Sequence, residues 1–159
     1  MGKIFKFDKD VDTDQIIASQ YLLYPTIDEM KVHTFESLDK DFAANVKAGD
    51  YVVASDNFGC GSSREQAPSV LKALGVKAVI AKSFARIFFR NSINNGLLLI
   101  EQDSLHDNVT EGDTITVTVG ENVEYNGKNY PISALPQNLL DIINAGGLVK
   151  AMRKLNGLD

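Results

Sequence analysis

The segment Asp56-Asn57-Phe58-Gly59-Cys60-Gly61-Ser62-Ser63-Arg64-Glu65 gathers the side chains with the most chemical potential in this sequence. Gly59 and Gly61 let the backbone adopt dihedrals closed to other residues and approach a ligand closely. Ser62 and Glu65 stand at capping-box spacing, which would place free N–H groups and the positive end of a helix dipole beside an anion. Pro68 argues for a later start, because proline fits only the first helical turn. On that alternative the regular helix begins nearer Glu65 and leaves Gly61 to Arg64 as an exposed turn. Either way two hydroxyls and a guanidinium project from one place. Arg64 can grip a carboxylate through two parallel hydrogen bonds.

Better-known loops do not match. A phosphate-binding Walker loop needs Gly-Lys-Ser/Thr, and no lysine follows Gly61; the dinucleotide fingerprint needs glycine where Arg64 stands. A nucleophile elbow needs Gly-x-Ser-x-Gly, and no motif links His33 or His106 to Ser62. Taken alone, the loop also fits a plain glycine turn with serine caps and a solvated Arg64.

The elements around this loop are legible in the period of the apolar residues. Tyr51 to Ser55 reads as a buried strand entering it, and Ala67, Val70, Leu71 and Leu74 lie at helical spacing after it, with Gly75 suited to the C′ position. Val76 to Ala81 predicts a second strand. Phe84, Ile87, Phe88 and Ile93 predict a second helix ending near Asn94-Asn95-Gly96, and Leu97 to Ile100 a third strand. Two strand–helix–strand units imply a parallel sheet with right-handed crossovers. Ligands of such sheets bind at the carboxyl ends of the strands, where the loop lies. After Gly112 the pattern alternates over Thr114 to Val119. Val123–Tyr125 and Asn129–Ile132 then flank Asn126-Gly127, a hairpin signal because both residues accept positive φ. A last helix is expected where Leu139, Leu140, Ile142 and Ile143 precede Gly146-Gly147. The first fifty residues show only short segments and turn signals.

Composition narrows the function classes. At 159 residues, 44% hydrophobic and 23% charged, the chain is an ordinary globular domain in length and make-up. No apolar run approaches the roughly 18 residues of a membrane span. The net charge of −5 disfavours a broad nucleic-acid footprint, which wants a basic face. The single cysteine, Cys60, cannot make an internal disulfide, nor alone hold a zinc ion or iron–sulfur cluster, which take about four ligands. Residues 1–6 carry no apolar leader core, and Lys6 stands where a myristoylation signal needs Ser or Thr. A cytoplasmic location is expected.

Asn57 to Glu65, followed by Lys82-Ser83-Phe84-Ala85-Arg86-Ile87-Phe88, resembles the swivelling domain of the aconitase superfamily. Asp12-Thr13-Asp14-Gln15-Ile16-Ile17 is similar to the Thr-Thr-Asp-His-Ile signature that opens that domain, and Ile142 to Leu148 fits its tail. The matches occur in family order, and the lone-domain form resembles the small subunits of the superfamily's isopropylmalate dehydratases. The resemblance implies an α/β fold over residues 1–159 as a single aconitase-like swivelling domain, layered β/β/α. It would have a parallel βαβαβ core and an added antiparallel β layer.

It also implies a division of labour. A separate large subunit would carry a [4Fe-4S] cluster whose open iron binds the substrate hydroxyl and a carboxylate, while this chain, binding no cofactor, closes over it. By matching position Ser62 is the base that removes a proton from the carbon next to the departing hydroxyl. A serine needs its alkoxide stabilised for that role, so N–H donors and Arg64 are apt company. Ser63 and Arg64 would hold a substrate carboxylate, and Thr13 and Asp14 would line the site from the opposite loop. Gln15, where aconitases have histidine, and Ile17, where they often have serine, depart from the pattern and put that loop's polar contacts in question. In Tyr21-Leu22-Leu23-Tyr24, Leu23 stands where homoaconitase small subunits resemble Tyr-Leu-Arg-Thr, so the resemblance implies a branched alkyl group there and isopropylmalate as substrate. Small subunits of homoaconitase or 2,3-dimethylmalate dehydratase, and a non-catalytic anion-binding α/β module, are the alternatives. Cys60 is expected to be packed, His33 and His106 to be surface or cap residues, and Arg86 and Arg90 to orient loops or meet the partner. Tyr130 and Pro131 are expected to serve strand packing.

Overall fold

The computed structural model describes residues 1–157. Its strands are β1 (Gly2–Lys6), β2 (Tyr51–Val53), β3 (Ala78–Ala81), β4 (Leu98–Glu101), β5 (Thr114–Thr118), β6 (Asn122–Tyr125) and β7 (Lys128–Pro131). The helices are α1 (Thr13–Ile16), α2 (Ile27–Met30), α3 (Phe42–Asn45), α4 (Gln66–Ala73), α5 (Arg86–Asn94), α6 (Leu105–Asn108), α7 (Gln137–Ala145) and α8 (Leu148–Leu155). The strands form one sheet in the order β4-β3-β2-β1-β5-β6-β7. The first four run parallel, with Phe5 opposite Val52, Val52 opposite Val79 and Val79 opposite Leu99. β5 joins β1 antiparallel, and β5, β6 and β7 continue as an antiparallel ribbon.

Side chains alternate across the sheet, and both faces are covered. Phe5, Val52, Val79 and Leu99 point into a core with Phe35, Phe42, Phe58, Leu71 and Phe88 from the helical side. Ile4, Tyr51, Val53, Ile80 and Ile100 point the other way, into a core with Ile115, Val123, Tyr125, Tyr130 and Ile132. The antiparallel ribbon therefore curls back over the parallel strands as a second β layer, with the helices as the third. Burial on both faces explains why β2, β3 and β4 read as unbroken apolar runs. It also hides β1. Ile4 and Phe5 are adjacent and both buried, on opposite faces, so Lys3 to Lys6 shows no clean alternation. Asp50 ties that strand down, accepting from Lys3 N (3.1 Å) and Lys47 N (2.8 Å).

Other expectations meet the structure with adjustments. Asn126 and Gly127 take φ of 50° and 76° between Tyr125 and Lys128, a two-residue hairpin turn. Gly75, at φ 86°, follows the C-cap of α4 as its sequence position suggests. The second helix starts at Arg86, so Phe84 precedes it, and Ile87 is 54% exposed instead of facing the core. A further helix, α8, follows Gly146-Gly147; its Val149, Met152 and Leu155 face outward, so no core contact made it legible. No described helix is long and apolar enough to cross a membrane.

Lys72 fastens the helical layer. Its Nζ donates to Asn95 O at 2.9 Å and to Gly146 O at 2.6 Å, the C-caps of α5 and α7. An ammonium where two helix C-termini converge meets the negative ends of both dipoles. Burial, and secondarily Lys150, lowers its pKa. Lys72→Met is expected to cost about 2–3 kcal/mol, since both carbonyls lose a charged donor. Urea denaturation followed by circular dichroism checks this, and an unchanged midpoint would refute the clamp.

Candidate active site

Three sequence segments distant from one another are zipped together at the carboxyl ends of β2 and β3. Phe58 N donates to Ser83 O (3.1 Å), Ala85 N to Phe58 O (3.0 Å), Gly59 N to Val11 O (2.7 Å) and Thr13 N to Cys60 O (2.9 Å). The loop after β2 is thus held between the segment before α1 and the segment before α5. Phe58, fully buried, anchors it against Phe35, Phe84 and Phe88. Asn57, at φ 60°, is fixed by Ser83 Oγ on its N–H (2.8 Å) and by Asp10 Oδ1 on its side-chain amide (3.1 Å). Gly59 is required twice over. Its φ is +86°, and a Cβ there would lie 2.1 Å from Phe88 Cγ.

Ser62, Ser63 and Arg64 form an open turn, and α4 starts only at Gln66, with Pro68 in its first turn. The Ser62–Glu65 capping box does not form, because Glu65 is itself the N-cap and has no side-chain cap bond. A capping box does form at α1, where Asp12 Oδ1 accepts from Gln15 N (2.9 Å) and Gln15 Oε1 accepts from Asp12 N (3.1 Å). Gln15 is therefore engaged in shaping the loop. Ile17 is fully buried and contributes a backbone carbonyl instead of a side chain.

The turn is joined to α1 by two side chains. Buried Thr13 donates its hydroxyl to Ser62 O at 2.6 Å. Arg64 donates from Nη1 to Asp14 Oδ1 (3.0 Å) and to Ile17 O (2.9 Å). The Asp14 carboxyl is held below its usual range chiefly by the Arg64 hydrogen bond and next by the Ser19 N–H. Both Arg64 bonds leave from Nη1, so Nε and Nη2 have no protein acceptor among the described residues. The backbone N–H groups of Ser62, Ser63 and Arg64 also lack one there. Beside the turn lies a cavity of about 240 Å³ whose lining includes Thr13, Ser63, Arg64, Arg86 and Asn91. Ser62 is exposed next to it.

Sequence reasoning did not place Asn91, whose Nδ2 donates to Ser63 Oγ at 3.3 Å, or Arg86 in this cavity. Both sit on α5; the linear signal was the run Lys82 to Phe88, which contains Arg86 and stops short of Asn91. Leu23 is not brought to the turn by any contact. It ends a short 3₁₀ turn (Ser19–Leu23) at 89% exposure, while Tyr21 and Leu22 pack against the core. That turn is braced by Tyr21, whose ring stacks on His33 at 3.8 Å and whose hydroxyl donates to Glu36. His33 Nδ1 lies 2.6 Å from the other Glu36 oxygen, and the Glu36 carboxyl is lowered by Tyr21 first and His33 second. His106 Nε2 contacts Phe7 O at 2.7 Å, away from the cavity.

The residues do not suit a metal cluster in this chain. Among the described residues no group of three or more His, Cys, Asp or Glu is gathered to hold a metal. Cys60 supplies one thiol, and burial, then Asp12 and Asp10, pushes its pKa up, away from the thiolate a ligand must be.

Residues 7–105 match the family described as the aconitase C-terminal domain. The 3-isopropylmalate dehydratase small subunit of Lachnospira eligens is 64% identical over 158 residues, covering 99% of this chain and 96% of that protein. In Archaeoglobus fulgidus, 3-isopropylmalate dehydratase small subunit 1 is 50% identical, covering 98% of each. A crystal structure of 3-isopropylmalate dehydratase from Methanocaldococcus jannaschii superposes with a TM-score of 0.92 at 42% identity, over 98% of this chain and 93% of that one.

Proposed function

This chain belongs to the aconitase C-terminal domain family, and we propose that within it Ser62 is the catalytic base of a two-subunit hydro-lyase. The chain functions as the small subunit of a 3-isopropylmalate dehydratase, which interconverts 2-isopropylmalate and 3-isopropylmalate by dehydration and rehydration in leucine biosynthesis. A large subunit is its partner. The observation that carries the site assignment is the joining of the Ser62–Arg64 turn to Thr13 and Asp14 beside one cavity.

In this reading each group has a task. Ser62, as alkoxide, takes the proton from the carbon next to the departing hydroxyl, and returns a proton during rehydration. The unpaired N–H groups of the turn and the Arg64 charge stabilise that alkoxide. Thr13 fixes Ser62 by its carbonyl, and Asp14 orients Arg64 so that Nε and Nη2 face a substrate carboxylate with Ser63. Asn91 orients Ser63 in turn. The [4Fe-4S] cluster that the family resemblance implies would sit on the large subunit and polarise the departing hydroxyl. The whole chain works as one swivelling domain in the cytoplasm, with no nucleic-acid or membrane partner.

Leu23 reads the substrate. A carboxylate set against leucine would lose its hydration without gaining a partner, whereas an isopropyl group gains roughly 0.8 kcal/mol per buried CH₂. Its 89% exposure fits a side chain that becomes covered only in the closed complex. Coexpression with a large subunit and assay over a panel of malate derivatives tests this. We expect isopropylmalate to be preferred over homoaconitate, citrate-type triacids and dimethylmalate, with no turnover by the isolated chain. Leu23→Arg with Tyr24→Thr should shift preference toward substrates with a third carboxylate. A wild-type complex that prefers homoaconitate would defeat the assignment.

A further inference from the structure

Arg86 opens α5 and is, with Arg64, one of two cations lining the cavity; no acidic residue lines it. Unlike Arg64, its guanidinium has no hydrogen-bond or ion-pair partner among the described residues. An arginine that merely braces a loop would be bonded to that loop. Arg86 is exposed at the cavity's edge; Arg90, one turn further along the same helix, is also exposed but does not line the cavity. The Ala85 N-cap of α5 carries no side-chain cap, so the helix adds uncompensated positive potential on the same side. The cavity therefore presents two guanidinium groups and no carboxylate, a charge pattern matched by a dianion. A planar guanidinium satisfies one carboxylate at a time in two-point geometry. Arg64, steered by Asp14, can serve one.

We propose that Arg86 is a substrate-binding residue that shares with the large subunit the carboxylate Arg64 does not reach, so that the two arginines measure the separation of a dicarboxylate's ends. The proposal rests on the functional reading above and extends it from one carboxylate contact to two. It also revises the expectation that Arg86 serves only loop order or subunit contact.

The test uses small subunits carrying Arg86→Gln, Arg86→Lys or Arg90→Gln, each assembled with the large subunit. Arg86→Gln should raise KM for isopropylmalate by about 10–100-fold, the worth of a charged hydrogen bond, while kcat changes little. Arg86→Lys should recover part of the loss, and Arg90→Gln should behave as wild type. The two monoamides of isopropylmalate, used as inhibitors, give an independent readout. Wild type should bind both amides weakly, and for only one of them should Arg86→Gln cause no further loss. An unchanged KM would overturn the proposal, as would a loss that saturating large subunit restores, since that places Arg86 at the subunit interface. A wild-type complex inactive on isopropylmalate would count against the functional reading alone. Arg86 would then be judged by whether calorimetry shows the same variants losing other malate-type dicarboxylates.

Discussion

Ser62→Ala in the assembled enzyme is expected to lower kcat by on the order of 10²–10⁴, the usual cost of removing a general base. The substitution is clean because Ser62 is exposed and its hydroxyl makes no hydrogen bond within the described chain. Its structural duty is carried by the backbone carbonyl, which Thr13 holds and which alanine keeps. Folding, subunit association and KM should therefore stay near wild type. Steady-state kinetics on the coexpressed complex, with association measured in parallel, separates these quantities. Normal turnover would move the base elsewhere, and Ser63, held by Asn91 at the cavity wall, is the next group to examine.

Gly59→Ala should be the most damaging small substitution in the loop. The new methyl would sit 2.1 Å from Phe88 Cγ and 2.5 Å from its Cβ, distances no van der Waals contact allows. Phe88 cannot step aside readily, since it is 3% exposed and packs edge-on to Phe58 at 5.4 Å. The left-handed φ adds its own strain. Overpacking and backbone strain together should cost about 3–5 kcal/mol. For a chain this size that is a fall in Tm of roughly 10 °C or more. Adding Phe88→Gly removes both the ring and the Cβ that obstruct the methyl, so the double variant should lose less than the sum of the two single changes. Strict additivity would show that the clash is not the cause. The same glycine lets the loop thread between α5 and the segment before α1, so partial loss of activity should accompany any variant that folds.

Local chemistry was readable from the sequence wherever one short stretch sets its own conformation. The buried runs at Tyr51, Ala78 and Leu98 declare strands, Gly75 ends a helix, and Asn126-Gly127 makes a hairpin, each because a period or a positive φ is a property of neighbouring residues. The chemically suggestive turn at Ser62 to Arg64 and the loop at Thr13 and Asp14 were visible as two separate motifs. Their meeting was not. Thr13 reaches a carbonyl 49 positions away, and Arg64 reaches a carboxylate 50 positions away, through a sheet whose strand order no local pattern states. Where local signals competed, tertiary packing chose. Ser62-x-x-Glu65 has the spacing of a capping box, yet Thr13 of α1 holds the Ser62 carbonyl and Arg64 reaches Asp14, so the turn stays open and α4 starts with no side-chain cap. β1 was hidden because a strand buried on both faces loses its alternation, and α8 because its apolar side meets no core. The sequence by itself determined which residues could do chemistry and the short elements that carry them. Only the tertiary structure decided that Arg86 and Asn91 share a cavity with Thr13 and Arg64, because distance in space is set by long-range strand pairing and not by spacing along the chain.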